Sequence, residues 1–445
     1  MTDTHSNTLR RPTKRRTWLR VAALACVCGL APIATWGTQG PESSDYSASP
    51  AGVTLTRIAS EPVGLKDPWG ATQLPDGSWL VTSRSAVTVT QVAASGNTEL
   101  SGPALDDVRS FVSNPPQVEA PATSGEQEEK DADSEPSPDE AGLYGIAVSP
   151  QYSEDGYIYA FASNGTTSRI YRLHNSGNRL WESTVIVDNL PAGAGRNGGA
   201  LGFGGDGYLY ASIGDAGKPR LAGDLESLAG KIIRLGADGS YPATNPLTSS
   251  LMWSAGHRNV TGFTWSADGV MLAVEPGADY ADELNVIQAG HNYGWPDIEG
   301  TGGEAAGYTD PAISWLRTDS HAVDPSGVAV TGEGIYVASY SGERMWRYQL
   351  TAAGLGQVQS LEIGANGRLG AIAVAYSGDV AVLTANSSTR SVHTAKTPYD
   401  LLPPESPTDG TTPDTDAEKD AQAAAKARTA MLKAPDRIVT YKITP

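Results

Sequence analysis

From about residue 53 onward the chain repeats one pattern: an apolar stretch of strand length, a turn carrying Gly with Asp or Glu, then a second apolar stretch. The instances are GATQLPDGSWLVTS from Gly70, GIAVSPQYSEDGYIYAFAS from Gly145, ALGFGGDGYLYASIG from Ala200, GFTWSADGVMLAVE from Gly262, GVAVTGEGIYVASY from Gly327 and AIAVAYSGDVAVLTA from Ala371. Apolar runs of this length around a Gly-containing turn predict β-hairpins. Six copies at intervals of roughly 45–65 residues, apart from one inflated gap, predict an all-β fold, a six-bladed β-propeller. Two packed β-sandwiches are the competing architecture. The tail Asp436-Arg437-Ile438-Val439-Thr440-Tyr441-Lys442-Ile443 alternates like a strand. It is expected to return and complete a blade against the N-terminal strands.

Two acidic, low-complexity stretches interrupt the pattern. Residues 115–140 are rich in Glu, Asp, Pro and Ser, with too few apolar side chains to offset the entropy of ordering, and read as a disordered insertion. Residues 403–433 form the second, within which Asp416–Leu432 has high helix propensity and predicts a peripheral helix. Before the repeats, residues 38–52 are small and polar and read as a linker. Residues 1–37 join a basic region (Arg10, Arg11, Lys14, Arg15, Arg16, Arg20) to an apolar run from Val21 to about Trp36. That is an export signal or an N-terminal anchor, and Lys14–Arg20 (KRRTWLR) looks like a twin-arginine signal. The expected division is therefore 1–37 for export, 38–52 as linker and 53–445 as propeller with both insertions. The expected location is extracytoplasmic, secreted or tethered.

Composition narrows the partners. At 445 residues and 39% hydrophobic, the chain can bury a large core, and its 50 Gly and 29 Pro suit many turns. A net charge of -18 argues against nucleic acid and anionic membrane surfaces. Both cysteines, Cys26 and Cys28, lie in the N-terminal apolar run, so the folded body carries no disulfide or thiolate metal site.

Candidate chemistry concentrates in residues 255–296. There Gly256-His257-Arg258-Asn259 is followed by the loop Glu275-Pro276-Gly277-Ala278, the acidic pair Asp282-Glu283 and Asn292-Tyr293-Gly294-Trp295-Pro296. Arginine offers a rigid fork of donors to carboxylates and planar oxygen groups. Carboxylates with loop carbonyls suit a hard cation such as calcium. The order GHRN, E-x-G, DELN, NYGWP resembles the soluble PQQ-dependent glucose and aldose sugar dehydrogenases. The likeness spans roughly residues 62–386 plus the terminal strand and implies the same six-bladed propeller.

By that resemblance, Arg258 and Asn259 contact the cofactor, and Arg368 matches the first arginine of the family's arginine-x-arginine clamp, the second being Gly370 here. Ser341 stands before Gly342 where the family carries a basic residue, and Glu140 falls where it places a cofactor-lining Gln or Glu. Gly277 and Ala278 resemble a calcium loop whose backbone carbonyls reach the ion, and Glu283 with Tyr293 a second calcium site that staples DELN to NYGWP. The family's base, a histidine, is replaced by Arg196, which has no accessible neutral form. Asp215 matches the acid that would orient that histidine. It acts either as the base itself or as the salt-bridge partner of Arg196. With Arg258 it completes the candidate catalytic set.

His257 reads as structural, and His291 and His321 are possible substitute bases. Trp69 and Trp295 are packing residues or a carbohydrate platform. Gly230-Lys231-Ile232-Ile233-Arg234 with Asp238-Gly239 supports a hairpin. Two functions follow. The first is an exported sugar dehydrogenase-like protein that passes hydride to calcium-bound PQQ with the usual base replaced. The second is a catalytically inactive, calcium-stabilised propeller that binds a sugar, a surface glycan or a scaffold partner.

Overall fold

The computed structural model describes residues 53–115, 140–193, 195–317, 323–351, 354–362, 364–388, 426 and 428–444. The expected N-terminal signal and linker, most of both insertions and His321 lie outside the described residues. The described chain forms six four-stranded antiparallel sheets, the blades of a β-propeller.

Strand β1 (Thr54–Pro62) belongs to the last blade. Blade one is β2 (Pro68–Gln73), β3 (Trp79–Ser83), β4 (Thr88–Ala93) and β5 (Gly96–Glu99). After helix α1 (Pro103–Ser113), blade two follows as β6 (Gly142–Val148), β7 (Tyr157–Ser163), β8 (Thr167–Ser176) and β9 (Arg179–Pro191), with the short helix α2 (Tyr152–Asp155) before β7. Blade three is β10 (Leu201–Phe203), β11 (Leu209–Ile213), β12 (Lys231–Leu235) and β13 (Met252–Ala255). Blade four is β14 (Gly262–Trp265), β15 (Met271–Glu275), β16 (Ala281–Ile287) and β17 (Ile313–Leu316). Blade five is β18 (Pro325–Thr331), β19 (Gly334–Ser339), β20 (Arg344–Thr351) and β21 (Gly354–Leu361). Blade six joins β22 (Leu369–Val374), β23 (Val380–Thr384) and β24 (Arg437–Thr444) to β1.

The inner strands β2, β6, β10, β14, β18 and β22 neighbour one another in sequence, and β22 meets β2, so the ring closes. Backbone pairing closes it, because β24 pairs with both β23 (Val382 opposite Val439) and β1 (Leu55 opposite Ile443). The returning tail strand is thus present as the alternation of residues 436–443 predicts.

Burial explains why the repeats read as apolar runs. The second strand of each blade lies between two strands in its own sheet and between two neighbouring blades. In β3, β11, β15, β19 and β23 every residue is buried. Covering both faces removes the polar half of the alternation. Near the axis the blades approach so closely that side chains are excluded. A Cβ at Gly145 would lie 2.2 Å from Gly199 O, and one at Gly262 would lie 2.7 Å from Gly327 Cα.

Buried hydroxyls tie blade to blade at four of the six junctions. Thr82 Oγ1 donates to Tyr144 O (2.6 Å), Ser212 Oγ to Val260 O (2.9 Å), Thr261 Oγ1 to Pro325 O (2.7 Å) and Ser326 Oγ to Leu369 O (2.6 Å). Each contributes about 0.5–1.5 kcal/mol net, and more would be lost by stranding the carbonyl.

The gap after blade one is not wholly an insertion. It holds α1, whose Ala104, Leu105, Val108, Phe111 and Val112 are buried, the helix packing on β9 and β7 of blade two. The spacing of these apolar residues is helical, a signal outweighed in the sequence by the acidic stretch that follows. Of the peripheral helix expected at Asp416–Leu432, residues 426 and 428–432 are described and helical.

Candidate functional site

In a four-stranded antiparallel blade, the loop leading into the first strand and the turn between strands two and three emerge at the same end. That geometry brings Glu140 (before β6), Arg196 (before β10), Arg258 and Asn259 (before β14) and Arg368 (before β22) to one face of the ring. Asp215 (after β11) and Gly277 and Ala278 (after β15) join them there.

Blades three and four build the densest part of this face. Glu275, the last residue of β15, organises the Gly256-His257-Arg258-Asn259 turn. Its Oε2 accepts the backbone N–H groups of Arg258 (2.7 Å) and Asn259 (3.1 Å), and its Oε1 faces His257 Nδ1 at 2.9 Å. Burial pushes the Glu275 carboxyl up, but His257 and these N–H groups outweigh it and hold the acid below its ordinary value. His257 is fully buried, 2.9 Å from Ser254 Oγ through Nε2 and stacked on Tyr293 at 4.8 Å, which is a structural role. The turn projects Arg258 inward.

The Arg258 guanidinium is buried but under-partnered. Nη1 makes one long contact to Pro276 O (3.4 Å), and Nε has no hydrogen-bond partner among the described residues. Its centre lies 5.6 Å from the Trp295 ring. Burial, reinforced by the charge of Arg196, lowers its pKa. A buried cation with unused donors is costly unless an anion completes it. It opens on a small pocket whose lining includes Pro276, Gly277, Glu283, Trp295 and Glu299.

Asp215 is fully buried and saturated with donors. Oδ1 accepts Arg196 Nε (2.8 Å) and Gly217 N (2.9 Å), while Oδ2 accepts Trp295 Nε1 (2.9 Å). Its backbone N–H donates to Arg258 O at 2.9 Å, which joins the two loops directly. Arg196 holds its place with a positive φ of 57°, a conformation that non-glycine residues adopt at a cost. Asn259 Oδ1 accepts Gly198 N at 3.0 Å, so this side chain braces the loop that carries Arg196.

Gly277 departs from the expected calcium loop. Its carbonyl accepts Arg317 Nη1 at 2.6 Å, and its N–H donates to Asp282 Oδ1 at 3.0 Å. A hard cation takes six to eight oxygen ligands at 2.3–2.6 Å, and a guanidinium already occupies the approach to this oxygen. At Gly277 the carbonyl that the calcium-loop resemblance assigns to an ion is engaged by Arg317. Ala278 follows, half-buried.

Glu283 and Tyr293 line the same pocket as Arg258. Glu283 accepts Gly300 N (2.7 Å) and Asn285 Nδ2 (3.1 Å), and burial together with the charge of Glu275 pushes it up to about 8. No basic group pairs with it in the ion pairs of the described residues, so it suits a proton or a metal cation. The Tyr293 hydroxyl is committed, donating to Val286 O (2.5 Å) and accepting Gln288 N (2.9 Å).

The remaining candidates stand apart. Glu140 Oε2 is 3.6 Å from Arg84 Nη1, and Arg84 Nε is 2.9 Å from Asp67 Oδ2. Arg368 packs its guanidinium 5.4 Å from the Tyr340 ring centre and enters no ion pair among the described residues. His291 Nδ1 lies 2.8 Å from Thr309 Oγ1, outside the Asp215–Arg258 group. Arg84, Arg317 and the Trp295–Asp215 bond escape sequence reasoning, because their partners lie 17 to 80 residues away.

Comparison with known proteins identifies the family. The family profile described as Glucose / Sorbosone dehydrogenase matches residues 65–392. The chain belongs to the Glucose / Sorbosone dehydrogenase family. Within solved members, it is similar to the PQQ-bound aldose sugar dehydrogenase of Streptomyces coelicolor, with 31% identity and a TM-score of 0.67, covering 89% of this chain and 100% of that one. Among curated relatives, quinoprotein glucose dehydrogenase B of Acinetobacter calcoaceticus is 29% identical over 44% of this chain and 47% of its own length. Aldose sugar dehydrogenase YliI of Escherichia coli is 30% identical over 35% of this chain and 46% of its own. For these two enzymes the match spans about half of their length. The Glucose / Sorbosone dehydrogenase assignment agrees with the six blades and with the PQQ type of sugar dehydrogenase suggested by GHRN and NYGWP.

Proposed function

We propose that the protein is an exported, PQQ-binding sugar dehydrogenase-like propeller in which proton removal from the sugar limits turnover. The observation that carries this is Arg258, a buried guanidinium with an unpartnered Nε beside the face of Trp295. Such a site fits a planar polycarboxylate, since the ring offers a surface and the fork offers directed donors. Asn259, Arg368 and Glu140 are proposed as further cofactor contacts from the same face. PQQ, when bound, supplies the hydride acceptor. The protein's part is to orient it and to manage charge and protons.

Removing the proton from the sugar hydroxyl requires a group that can accept it. Arg196 cannot. Asp215 is the carboxylate beside it, and as base it would first have to release Arg196. A second reading is favoured by the three donors already on Asp215. In it, the pocket binds cofactor and sugar, or a surface glycan, without turnover. Calcium is proposed at Glu283 only, the Tyr293 hydroxyl being committed, where it would replace a proton on a buried carboxyl and brace the loop beneath the pocket. Export rests on the basic and apolar N-terminal pattern.

Reconstitution with PQQ followed by dye reduction across a panel of aldoses tests the main reading. Binding with slow turnover is expected, and Arg196→His should raise the rate by about 10²–10⁴-fold. Binding with no turnover in either form would favour the second reading, and absence of PQQ uptake would overturn the first and leave only a binding propeller. Cell fractionation of an Arg15→Lys/Arg16→Lys variant checks export, which should be lost.

A further inference from the structure

We propose that Arg317 is a tethered cation that forms the Gly277 turn in place of a metal ion. It sits just past β17, where its backbone N–H donates to Tyr280 O at 2.8 Å. From there Nη1 reaches Gly277 O (2.6 Å) and Asp282 Oδ1 (3.2 Å). Asp282 is almost fully buried, and the same Oδ1 accepts Gly277 N. Its Oδ2 accepts Val323 N (3.2 Å) and Asp324 N (2.8 Å) at the start of blade five. One carboxylate and one guanidinium therefore hold the turn, the end of blade four and the beginning of blade five.

The rest of the turn is also satisfied by protein groups. Glu299 Oε1 accepts Tyr280 N (3.1 Å) and Ala281 N (3.0 Å), and its Oε2 accepts Asp279 N (3.3 Å). Gly277 is required for closeness, since a Cβ there would lie 2.0 Å from Ala281 O and 2.1 Å from Glu299 Oε1. A divalent ion on Gly277 O would stand against the guanidinium and repel it. The positive charge beneath the pocket is carried by a tethered side chain rather than an exchangeable ion. The turn is accordingly set before any ligand arrives and does not respond to chelator. Shortening Arg317 would expose the Asp282 carboxylate and the Gly277 carbonyl to one void, a pair of oxygens suited to a hard cation.

This inference deepens the proposed reading of the site, yet the metal count tests it separately. Calcium is titrated calorimetrically into the chelator-treated full chain, as wild type, Arg317→Ala and Arg317→Lys. Arg317→Ala is expected to bind one more equivalent than wild type and to melt several degrees higher in calcium than in chelator. Arg317→Lys, which keeps a cation, is expected to retain the wild-type count. Equal counts for wild type and Arg317→Ala would overturn the proposal. Should Arg317→Ala not fold, Glu283→Gln decides. Tight calcium binding that survives in Glu283→Gln would place a metal at the turn after all, and none would support Arg317. If Glu283 itself holds no calcium, wild type binds none while Arg317→Ala still binds one, so the two ideas fail independently.

Discussion

Arg84 and Arg258 stand on the same face of the ring and are equally buried, at 4% and 5% exposure, yet they are opposites electrostatically. Arg84 is enclosed by Asp67 and Glu140 and lies 6.0 Å from the Tyr144 ring centre. Burial lowers its pKa, but these neighbours outweigh it and hold the guanidinium above its ordinary value. Arg258 has comparable burial and no ion pair among the described residues, and its pKa is lowered. Equal burial with opposite compensation separates an arginine that completes the fold from one that awaits an anion.

The largest effect expected from this contrast is on stability. Arg84→Met leaves Asp67 buried without its counter-ion and should cost about 3–5 kcal/mol in urea unfolding. Arg258→Met, at equal burial, removes an uncompensated charge and should leave the ligand-free protein unchanged or more stable. Equal losses from both would erase the distinction. On the binding side the order reverses. Arg258→Met forfeits charge-assisted hydrogen bonds of about 1.5–3 kcal/mol each, so PQQ affinity should fall roughly 10–100-fold by tryptophan quenching.

An intermediate effect is expected at Asp215. Asp215→Asn removes the charge that holds Arg196 and Trp295 while keeping the shape, and should cost about 1–3 kcal/mol by thermal melting. Its effect on PQQ affinity should be smaller than that of Arg258→Met. The smallest effect belongs to an exposed pair, Arg169 with Asp188, at 2.7 and 3.1 Å on the outer strands of blade two. The hydrogen bond from Arg169 holds Asp188 below its ordinary 3.8. Its contribution is present above that value and is lost as pH falls through the lowered one. Asp188→Asn should cost at most about 1 kcal/mol at neutral pH, with the difference from wild type vanishing in strong acid.

Much of the fold was legible because the repeats obey a local rule. Strands such as β11 and β15 are covered on both faces, so the apolar run itself records their position. Helix α1 was not anticipated, since its eleven residues adjoin an acidic stretch of contrary character. Site residues near one another in sequence, such as Arg258 and Asn259, were visible as a motif. Trp295 was undecided between packing and ligand platform, and its bond to Asp215 spans 80 residues.

Taken alone, the sequence determined the number of blades, the closing strand and the loops from which Arg196, Asp215, Arg258 and Gly277 emerge, because hydrophobic periodicity and turn chemistry are local properties of the chain. Only the tertiary structure decided which charges are compensated. Arg84 finds Asp67 across 17 residues, Arg317 finds Gly277 across 40, and Arg258 finds no acid to pair with among the described residues. Burial and pairing depend on which loops the closed ring brings face to face, and no single stretch of sequence carries that information.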